Sequence, residues 1–163
     1  MKSPAQERLG RKSTAVRVRP MLPADAPAAH RILRESPEAS MWSLESLEGL
    51  ASSGIALVAE LDGSVAGILV GRVAADECEI LNLAVGRAWR RRGAATILVR
   101  TALERARAAG ANQAYLEVRA SNRRAIALYE NIAFRQCGRR ANYYREPVED
   151  AVLLVFHSAE HDS

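Results

Sequence analysis

Hydrophobic and polar residues form runs along the first half of the chain that predict β-strands. Residues 15–19 alternate with period 2 and are expected to form the first strand. Residues 54–73 contain two runs rich in strand-forming residues, and Asp62-Gly63 between them suits the tight turn of a hairpin. Residues 78–86 are almost continuously apolar, which predicts a fourth strand that is buried.

Apolar residues recur at helical spacing in four other segments. A helix that Asp25 can cap is expected to run to about Glu35, and Ser43 is a good cap for a short helix that follows. The longest helical pattern spans 90–110 and ends on a glycine, and 122–131 predicts a fourth helix. The apolar face of the long helix is expected to consist of Ile97, Leu98, Ala102, Ala106 and Ala109.

The remaining segments complete a mixed α/β (α+β) architecture. Residues 113–118 predict a fifth strand and 151–156 a final strand, which follows a loop rich in Arg, Asn and Tyr. The order β-α-α-β-β-β-α-β-α-β-β implies a mixed central sheet of about six to seven strands with about four helices on its faces. We expect one domain over 15–158, between a flexible basic tail at 1–14 and a C-terminal tail at 159–163.

Composition indicates a folded globular protein. Of the 163 residues, 48% are hydrophobic and 26% are charged, which suits a single domain with one core. No apolar run approaches the roughly 20 residues of a membrane span. Residues 1–14 lack the apolar core of a secretory signal. We therefore expect a cytoplasmic protein without a membrane partner.

Cysteine and arginine content bear on possible ligands. Cys78 and Cys137 have no histidines at metal-ligand spacing, so neither a metal site nor a disulfide is expected. The net charge of +4 comes mostly from arginines clustered at 87–92, 119–124 and 139–140. Such a charge suits an anionic partner, either nucleic acid or a phosphate-bearing cofactor. A plain solvated surface has the same composition, so charge alone does not decide.

A basic loop with small residues leads into the long helix, in the sequence "LAVGRAWRRRGAAT". Gly93-Ala94-Ala95 lets the backbone approach a ligand closely, and N–H groups at the start of the helix would point toward that ligand. This arrangement binds phosphate, although an ordinary basic loop that enters a helix would have the same sequence. The stretch is neither a Walker loop nor a dinucleotide-binding fingerprint.

Two polar residues in otherwise apolar segments are candidates for acid–base chemistry. Glu117 interrupts a buried strand, so it is either a general base or a residue on a solvated face of the sheet. Tyr129 lies beside the apolar side of helix 122–131, so it is either a proton donor or a core tyrosine with its hydroxyl at the rim. Asn122 is a good N-cap for that helix without any further function.

These stretches, in this order and spacing, resemble the GNAT superfamily of acetyl-CoA-dependent N-acetyltransferases over residues 16–157. Within the superfamily, "LEVRASNRRAIALYENIAF" and "GRRANYYREPVEDAVLL" are similar to the ribosomal-protein-alanine N-acetyltransferase (RimI) type. The resemblance implies the GNAT fold, acetyl-CoA as cosubstrate and no metal. It also implies that the acceptor is the N-terminus of a protein, such as a ribosomal protein with alanine as its first residue.

The resemblance also implies roles for individual residues. Glu117 would accept a proton from the attacking amine, and Tyr129 would donate one to the departing coenzyme A thiolate. Arg90, Gly93 and Ala95 match the superfamily's pyrophosphate loop. The residues implied to bind acetyl-CoA are Leu83, Ala84, Val85, Arg90, Arg91, Arg92, Gly93, Ala94, Ala95, Thr96 and Asn122.

Some details of the match concern the peptide side and the oxyanion. "MWS" at 41–43 and Asn142-Tyr143-Tyr144 resemble segments on the peptide-binding side. Backbone N–H groups near 83–85 would stabilise a developing oxyanion if the strand bulges there. The chain departs from the family pattern at Ala133, where glycine is common, and at Ala95, which replaces a second glycine.

Four functions remain open at this point. The first is N-terminal acetylation of a protein, and the second is acetylation of a small amine or a lysine side chain by the same fold. The third is a non-catalytic acyl-CoA-binding module. The fourth, RNA binding, is favoured least because aromatic residues make up only 5% of the chain and no stacking motif is present. We expect a monomer or weak homodimer that does not bind nucleic acid directly.

Overall fold

The computed structural model describes residues 15–40, 42–50 and 54–158, and over that part of the chain seven strands and four α-helices occur in the expected order. The strands are β1 (Arg17–Pro20), β2 (Ile55–Leu61), β3 (Ser64–Ala74), β4 (Glu77–Val85), β5 (Gln113–Arg119), β6 (Arg135–Arg145) and β7 (Val148–His157). The helices are α1 (Ala26–Arg34), α2 (Leu44–Leu50), α3 (Ala94–Ala108) and α4 (Arg123–Asn131).

Parts of the sequence-based expectations fall on residues that the structure does not describe. These are the two tails, 1–14 and 159–163, and Met41 of the "MWS" segment. Within the described ranges, no helix has both the length and the apolar character that crossing a membrane requires. The same ranges contain no group of three or more His, Cys, Asp or Glu side chains placed to hold a metal ion.

The strands form one mixed sheet in the order β1-β2-β3-β4-β5-β7-β6. Neighbouring strands are antiparallel except for β4 and β5, which are parallel and pair at only three positions. Those pairs are Glu77 with Gln113, Cys78 with Ala114, and Glu79 with Tyr115. Beyond them β5 continues to pair with β7 along its whole length. The sheet therefore opens between β4 and β5.

Two apolar clusters hold the helices against opposite faces of the sheet. Alternate residues of one strand point to opposite faces, and the adjacent β3 residues Ile68 and Leu69 belong to different clusters. The Leu69 cluster includes Leu98 of α3 and Tyr129 of α4, and the Ile68 cluster includes buried residues of α1 and α2. The helices thus cover β2 to β4 on both sides, whereas β6 is exposed along nearly all of its length.

Local turn and cap residues explain several element boundaries. Asp62 and Gly63 form the two-residue β2–β3 turn with φ values of +52° and +77°, as type I′ geometry requires. The Ser43 hydroxyl accepts a hydrogen bond of 3.1 Å from the backbone N–H of Ser46 and so caps α2. The expected hairpin and the expected cap are both confirmed.

Asp25 precedes α1 as expected, but its side chain does not cap the helix. The carboxylate accepts hydrogen bonds from Arg19 at 2.7 and 2.9 Å and from the backbone N–H of Leu22 at 2.7 Å. The bond from Arg19 is the largest of the effects that hold the pKa of Asp25 below its ordinary value. Asp25 therefore ties α1 to β1 instead of satisfying the helix end.

The expected order ended in two strands, but only 151–156 was assigned to a strand after the fourth helix, and the expectation of a loop before it is wrong. Residues 135–145 form β6, and β7 begins at Val148 instead of at residue 151. β6 is the edge strand of the sheet and is exposed along nearly all of its length, so neither face selects apolar residues. The alternating signal by which a half-buried strand is predicted is consequently absent.

The buried face of α3 also differs from expectation at two of its five residues. Leu98, Ala102 and Ala106 are buried as expected, but Ile97 is 37% exposed and Ala109 is exposed. Val99, which was not expected on this face, is fully buried. The buried face of α3 therefore includes Val99 in place of Ile97, and it does not extend to Ala109.

Leu98→Ala is expected to lower the free energy of unfolding by about 2–5 kcal/mol, because it leaves a cavity beside β3. The Leu98 side chain is 0% exposed and lies 3.2 Å from the position that a Cβ on Gly67 would take. Urea unfolding measures the change. Ile97→Ala on the same helix is the control, and we expect it to cost much less. Equal losses in the two variants would contradict this description of the α3 face.

Candidate active site

A cleft of about 590 Å³ lies where β4 and β5 separate. Its walls are the unpaired halves of these two strands, the start of α3 and one side of α4. Of the residues expected to act in catalysis or acetyl-CoA binding, those that line this cleft are Leu83, Ala84, Val85, Arg90, Arg91, Gly93, Ala94, Ala95, Thr96, Glu117, Asn122 and Tyr129. The fold therefore brings twelve of the thirteen to one place, and Arg92 is the exception.

The loop before α3 presents backbone N–H groups to this cleft. Gly93 precedes the helix at φ +82°, and no side chain caps the helix start. The first N–H groups of an α-helix have no partner within the helix, so those of Ala94, Ala95 and Thr96 are available to a ligand. Arg91 also adopts a left-handed conformation, with φ +65°. A helix start of this kind, within a basic loop, suits an anion such as a pyrophosphate.

The three arginines of the loop differ in their contacts. Arg90 donates to the carbonyl oxygen of Val85 at 3.1 Å and to that of Glu35 at 3.2 Å, so it joins the loop to β4 and to the end of α1. Arg92 turns to the β2–β3 turn, where its guanidinium lies 3.4 Å from the Asp62 carboxylate. Arg91 is exposed at the cleft. Among the three, Arg91 is thus the one placed to meet a ligand charge.

The β4 wall of the cleft offers an open strand edge. The last part of β4 pairs with β3 on one side only, so alternate backbone N–H and C=O groups face the gap. Leu81 is an extra residue in β4, because Val70 pairs with Asn82 and Gly71 with Ile80. The bulge therefore lies at residue 81, ahead of the 83–85 stretch. The neighbouring Asn82 side chain is buried and donates to the Ser40 carbonyl at 2.8 Å.

Glu117 stands on the β5 wall with its side chain 18% exposed. Its carboxylate oxygen Oε1 lies 3.0 Å from Nε of Arg140 on β6. The pKa of the Tyr143 phenol is raised, first of all by hydrogen bonding to the same carboxylate. Glu117 is therefore neither a core residue nor a freely solvated one. It is a partly desolvated carboxylate at the edge of the cleft.

Tyr129 lies on the α4 side of the cleft and is 5% exposed. Its ring packs edge-to-face against Phe134, with a centroid distance of 5.2 Å. Burial raises the pKa of the Tyr129 phenol above its ordinary value of about 10. The hydroxyl consequently keeps its proton throughout the physiological pH range. Tyr129 therefore belongs to the core and also lines the cleft, and its role as a proton donor stays a prediction.

Asn122 caps α4, as its sequence position predicts. Its side-chain oxygen accepts a hydrogen bond of 3.2 Å from the backbone N–H of Ala125. The residue also lines the cleft, so its amide N–H₂ group remains available on that side. The capping bond by itself explains why asparagine stands there, and contact with a ligand would be an additional role.

Residues outside the expected set complete the walls. Arg119 ends β5, and its guanidinium lies 4.3 Å from the centre of the Tyr144 ring. It also donates to the carbonyl oxygens of Glu146 and Pro147, which fastens the β6–β7 hairpin to the cleft. The sequence named Tyr144 only through family resemblance. It indicated Arg119 only as one of a cluster of arginines, because the partners of Arg119 lie about 25 residues or more away in the chain.

The described residues fit coenzyme A as a ligand. A helix start suited to an anion lines the cleft together with Arg91, and an open strand edge able to hydrogen-bond amides runs along β4. A carboxylate and a protonated phenol, Glu117 and Tyr129, line the same cleft. This arrangement can hold an acyl thioester and can move protons at its reacting end.

Comparison with known proteins gives a consistent answer. The model of the acetyltransferase (GNAT) family matches residues 21–134. The [ribosomal protein bS18]-alanine N-acetyltransferase of Salmonella typhimurium is 33% identical over 134 residues, which cover 80% of this chain and 90% of that protein. The Escherichia coli protein of the same name is 34% identical over 96 residues, which cover 58% of this chain and 65% of that protein.

Solved structures show the same similarity. The crystal structure of the ribosomal-protein-S18-alanine N-acetyltransferase from Escherichia coli superposes with a TM-score of 0.78 at 27% identity, covering 91% of this chain and 98% of that one. Ard1 from Thermoplasma volcanium superposes with a TM-score of 0.79 at 27% identity, covering 90% of this chain and 99% of that one. The expected fold and family are both confirmed.

Arg91→Ala is expected to weaken acetyl-CoA binding and to reduce its dependence on salt, because a cation at the cleft is lost. Arg92→Ala is the matched control, since it removes the same charge from the next residue but from a side chain paired with Asp62. Calorimetric titrations at low and high salt measure both effects. An equal loss in the two variants would mean that net charge matters here, whereas the position of Arg91 does not.

Proposed function

Because the chain belongs to the acetyltransferase (GNAT) family, in which acetyl-CoA is the acyl donor, we propose that it is an N-acetyltransferase acting on the N-terminal α-amine of a protein. The acceptor that we propose is an N-terminal alanine, carried by a ribosomal protein of the bS18 type. The relatives named for that reaction support this choice. Its place of action would then be the cytoplasm, where such proteins are made.

The observation that carries the proposal is the meeting of Glu117 and Tyr129 at one cleft. They come from different elements, β5 and α4, and both line the space that the parting of β4 and β5 creates. A binding module would need the cleft and the helix start, but it would have no use for a carboxylate and a phenol that line the same cleft. The combination therefore favours transfer over binding alone.

Glu117 is proposed to accept the proton of the acceptor amine. An α-amino group has a pKa of about 8, so at neutral pH most acceptors arrive as ammonium ions that cannot attack. A carboxylate within reach, directly or through one water, can take the proton as the nitrogen attacks. Glu117 is suited to this because it is an acceptor-only group at the edge of the cleft and not within the core.

Tyr129 is proposed to act at the leaving group. Acetyl-CoA would supply the acetyl group as a thioester, whose sulfur leaves as a thiolate unless it is protonated. The corresponding thiol has a pKa of about 8.5. Burial keeps the Tyr129 hydroxyl protonated, so it can donate a hydrogen bond, and in the end a proton, to the sulfur. No covalent bond to the protein is required. The two cysteines can stay outside the reaction, and Cys78 is buried with its pKa raised to about 11.

The binding roles proposed for the other residues follow from their positions. Gly93, Ala94, Ala95 and Thr96 would hold the pyrophosphate through the backbone, with Arg91 beside them. The edge of β4 at 83–85 would pair with the amides of the pantetheine arm. We propose that Arg90 and Arg92 shape this loop and do not touch the ligand, given their bonds to Val85 and Asp62.

A peptide with a free N-terminal alanine is expected to be acetylated far better than the same peptide with a blocked N-terminus and an internal lysine. The reason is that an α-amine loses its proton about two pH units lower than a lysine side chain does. Initial rates with acetyl-CoA, measured over peptides that differ only in their first residue, test the choice of acceptor.

Free lysine and polyamines are the controls for that measurement. A preference for them, or for the internal lysine, would keep the acetyltransferase but overturn the proposed acceptor. No transfer to any amine, together with normal acetyl-CoA binding, would favour the binding module instead.

Tyr129→Phe is expected to lower kcat by roughly 10²–10⁴-fold, the usual range for a lost general acid. The ring and its contact with Phe134 remain, so acetyl-CoA affinity and melting temperature should change little. Single-turnover rates separate chemistry from product release. Near-normal turnover with chemistry shown to be rate-limiting would make Tyr129 a packing residue and leave the thiolate to be protonated by water.

A further inference from the structure

Two side chains of β6 meet the Glu117 carboxylate, and the mechanism proposed above gives neither of them a task. Nε of Arg140 lies 3.0 Å from Oε1 of Glu117, and interaction with the same carboxylate is the first cause of the raised pKa of the Tyr143 phenol. The Arg140 guanidinium also lies 5.8 Å from the centre of the Tyr143 ring, so the three groups form one cluster. We call Arg140, Tyr143 and Glu117 the carboxylate cluster.

A regular strand could not supply both partners. Residues 140 and 143 are an odd number of positions apart, and such residues point to opposite faces of a strand. The β6–β7 register shows what changes this: Arg140 pairs with Ala151 and Tyr144 with Glu149, four steps on β6 against two on β7. Two extra residues therefore bulge out of β6. The bulge lets Tyr143 approach the carboxylate that Arg140 already contacts.

The bulge has a specific anchor in Asp150 of β7. One carboxylate oxygen of Asp150 accepts a hydrogen bond of 3.0 Å from the backbone N–H of Asn142, which has φ +53°. The other oxygen accepts 2.8 Å from Nε of Arg139. The bond from Asn142 is the first of the effects that lower the pKa of Asp150. The carboxylate therefore stays charged and holds the bulge at neutral pH.

The ion pair between Arg140 and Glu117 contributes little to the stability of the fold. The Arg140 side chain is 57% exposed, and pairs with so much solvent around one partner contribute little to folding. Glu117, at 18% exposure, is the more constrained partner. A glutamate side chain has three rotatable bonds, and the ion pair with Arg140 restricts them. The contact thus has a larger effect on the orientation of Glu117 than on the fold.

We propose that Arg140 is a positioning residue for acetyl transfer, which together with Tyr143 holds the Glu117 carboxylate in the orientation that receives the proton of the acceptor amine. The inference rests on the proposed function, in which Glu117 is the proton acceptor. The β6 bulge, anchored by Asp150, is the element that delivers both positioning groups. A rival role for Arg140 is direct contact with an acidic part of the acceptor peptide.

A double-mutant cycle separates these two roles. We would measure kcat and KM for the full-length Arg140→Gln, Glu117→Gln and double variants. The assay would use saturating acetyl-CoA and a peptide with alanine at its N-terminus. A residue that acts through another has little left to lose once that other is removed. We expect Arg140→Gln to lower kcat about tenfold in the wild-type background, the equivalent of a lost hydrogen bond to a charged group. In the Glu117→Gln background we expect less than about a twofold change.

Arg140→Lys should restore most of kcat, because it keeps a cationic donor. Arg135→Gln is the matched control: it removes the same charge from an exposed position of the same strand, opposite Val155 and away from the carboxylate cluster, and should leave kcat unchanged. Melting temperature and acetyl-CoA affinity, measured on each variant, show that the fold and the donor site are intact. Asp150→Asn should lower kcat in the same direction as Arg140→Gln, since it loosens the bulge.

The outcomes are distinguishable. If Arg140→Gln raises the peptide KM by one factor in both backgrounds and leaves kcat unchanged, Arg140 contacts the peptide and the positioning role is overturned. If Glu117→Gln loses activity but Arg140→Gln does not, the positioning proposal fails while the proposed function survives. If Glu117→Gln itself keeps full activity, the assignment of the base fails and the positioning role fails with it.

Discussion

The parallel pairing of β4 with β5 ends after three residue pairs, and the rest of the site depends on that ending. A parallel strand pair buried between helices normally satisfies its backbone groups along its whole length. Here the second half of β4 leaves one edge without a strand partner, and β5 is kept in place by β7 instead. The open edge and the cleft beside it are where a ligand with amide groups can take the place of the missing strand. α3 begins at the same opening, so its free N–H groups face the same space.

Some arginines near the cleft bind other parts of the protein, and others are available to a ligand. Arg90 and Arg119 use their guanidinium groups to join loops and strand ends to one another, and Arg92 pairs with Asp62. Arg91 remains at the cleft. A cluster of arginines in the sequence therefore overstates the positive charge offered to a ligand, because Arg90, Arg92 and Arg119 already bind other parts of the protein. Composition counts every arginine, whatever its contacts in the fold, so it did not distinguish a nucleotide cofactor from nucleic acid.

Backbone conformation accounts for one departure from the family pattern. Ala133 adopts φ +81°, in the left-handed region where glycine is the residue without a steric penalty. It lies in the tight turn that ends α4, where its N–H donates to the Glu130 carbonyl and that of Phe134 donates to the Tyr129 carbonyl. The turn places Phe134 against the Tyr129 ring and so supports the proposed proton donor. The chain keeps this turn without the glycine, at the expense of some local strain.

The sequence by itself determined the elements whose information is local: the helical pattern of α3, though not every residue of its buried face, the Asp62-Gly63 turn, and the caps Ser43 and Asn122. All of these act over a few residues. It also determined the family, because Glu117, Tyr129 and the Gly93 loop keep a recognisable spacing. Only the tertiary structure decided that β6 is a strand, because an edge strand exposed on both faces carries no hydrophobic alternation. The partners of Arg90, Arg92 and Glu117 were likewise decided by the fold. Apart from Val85, which is five residues from Arg90, these partners lie 20 or more residues away in the chain. A sequence pattern carries no information about a contact that the bulge of a distant strand makes.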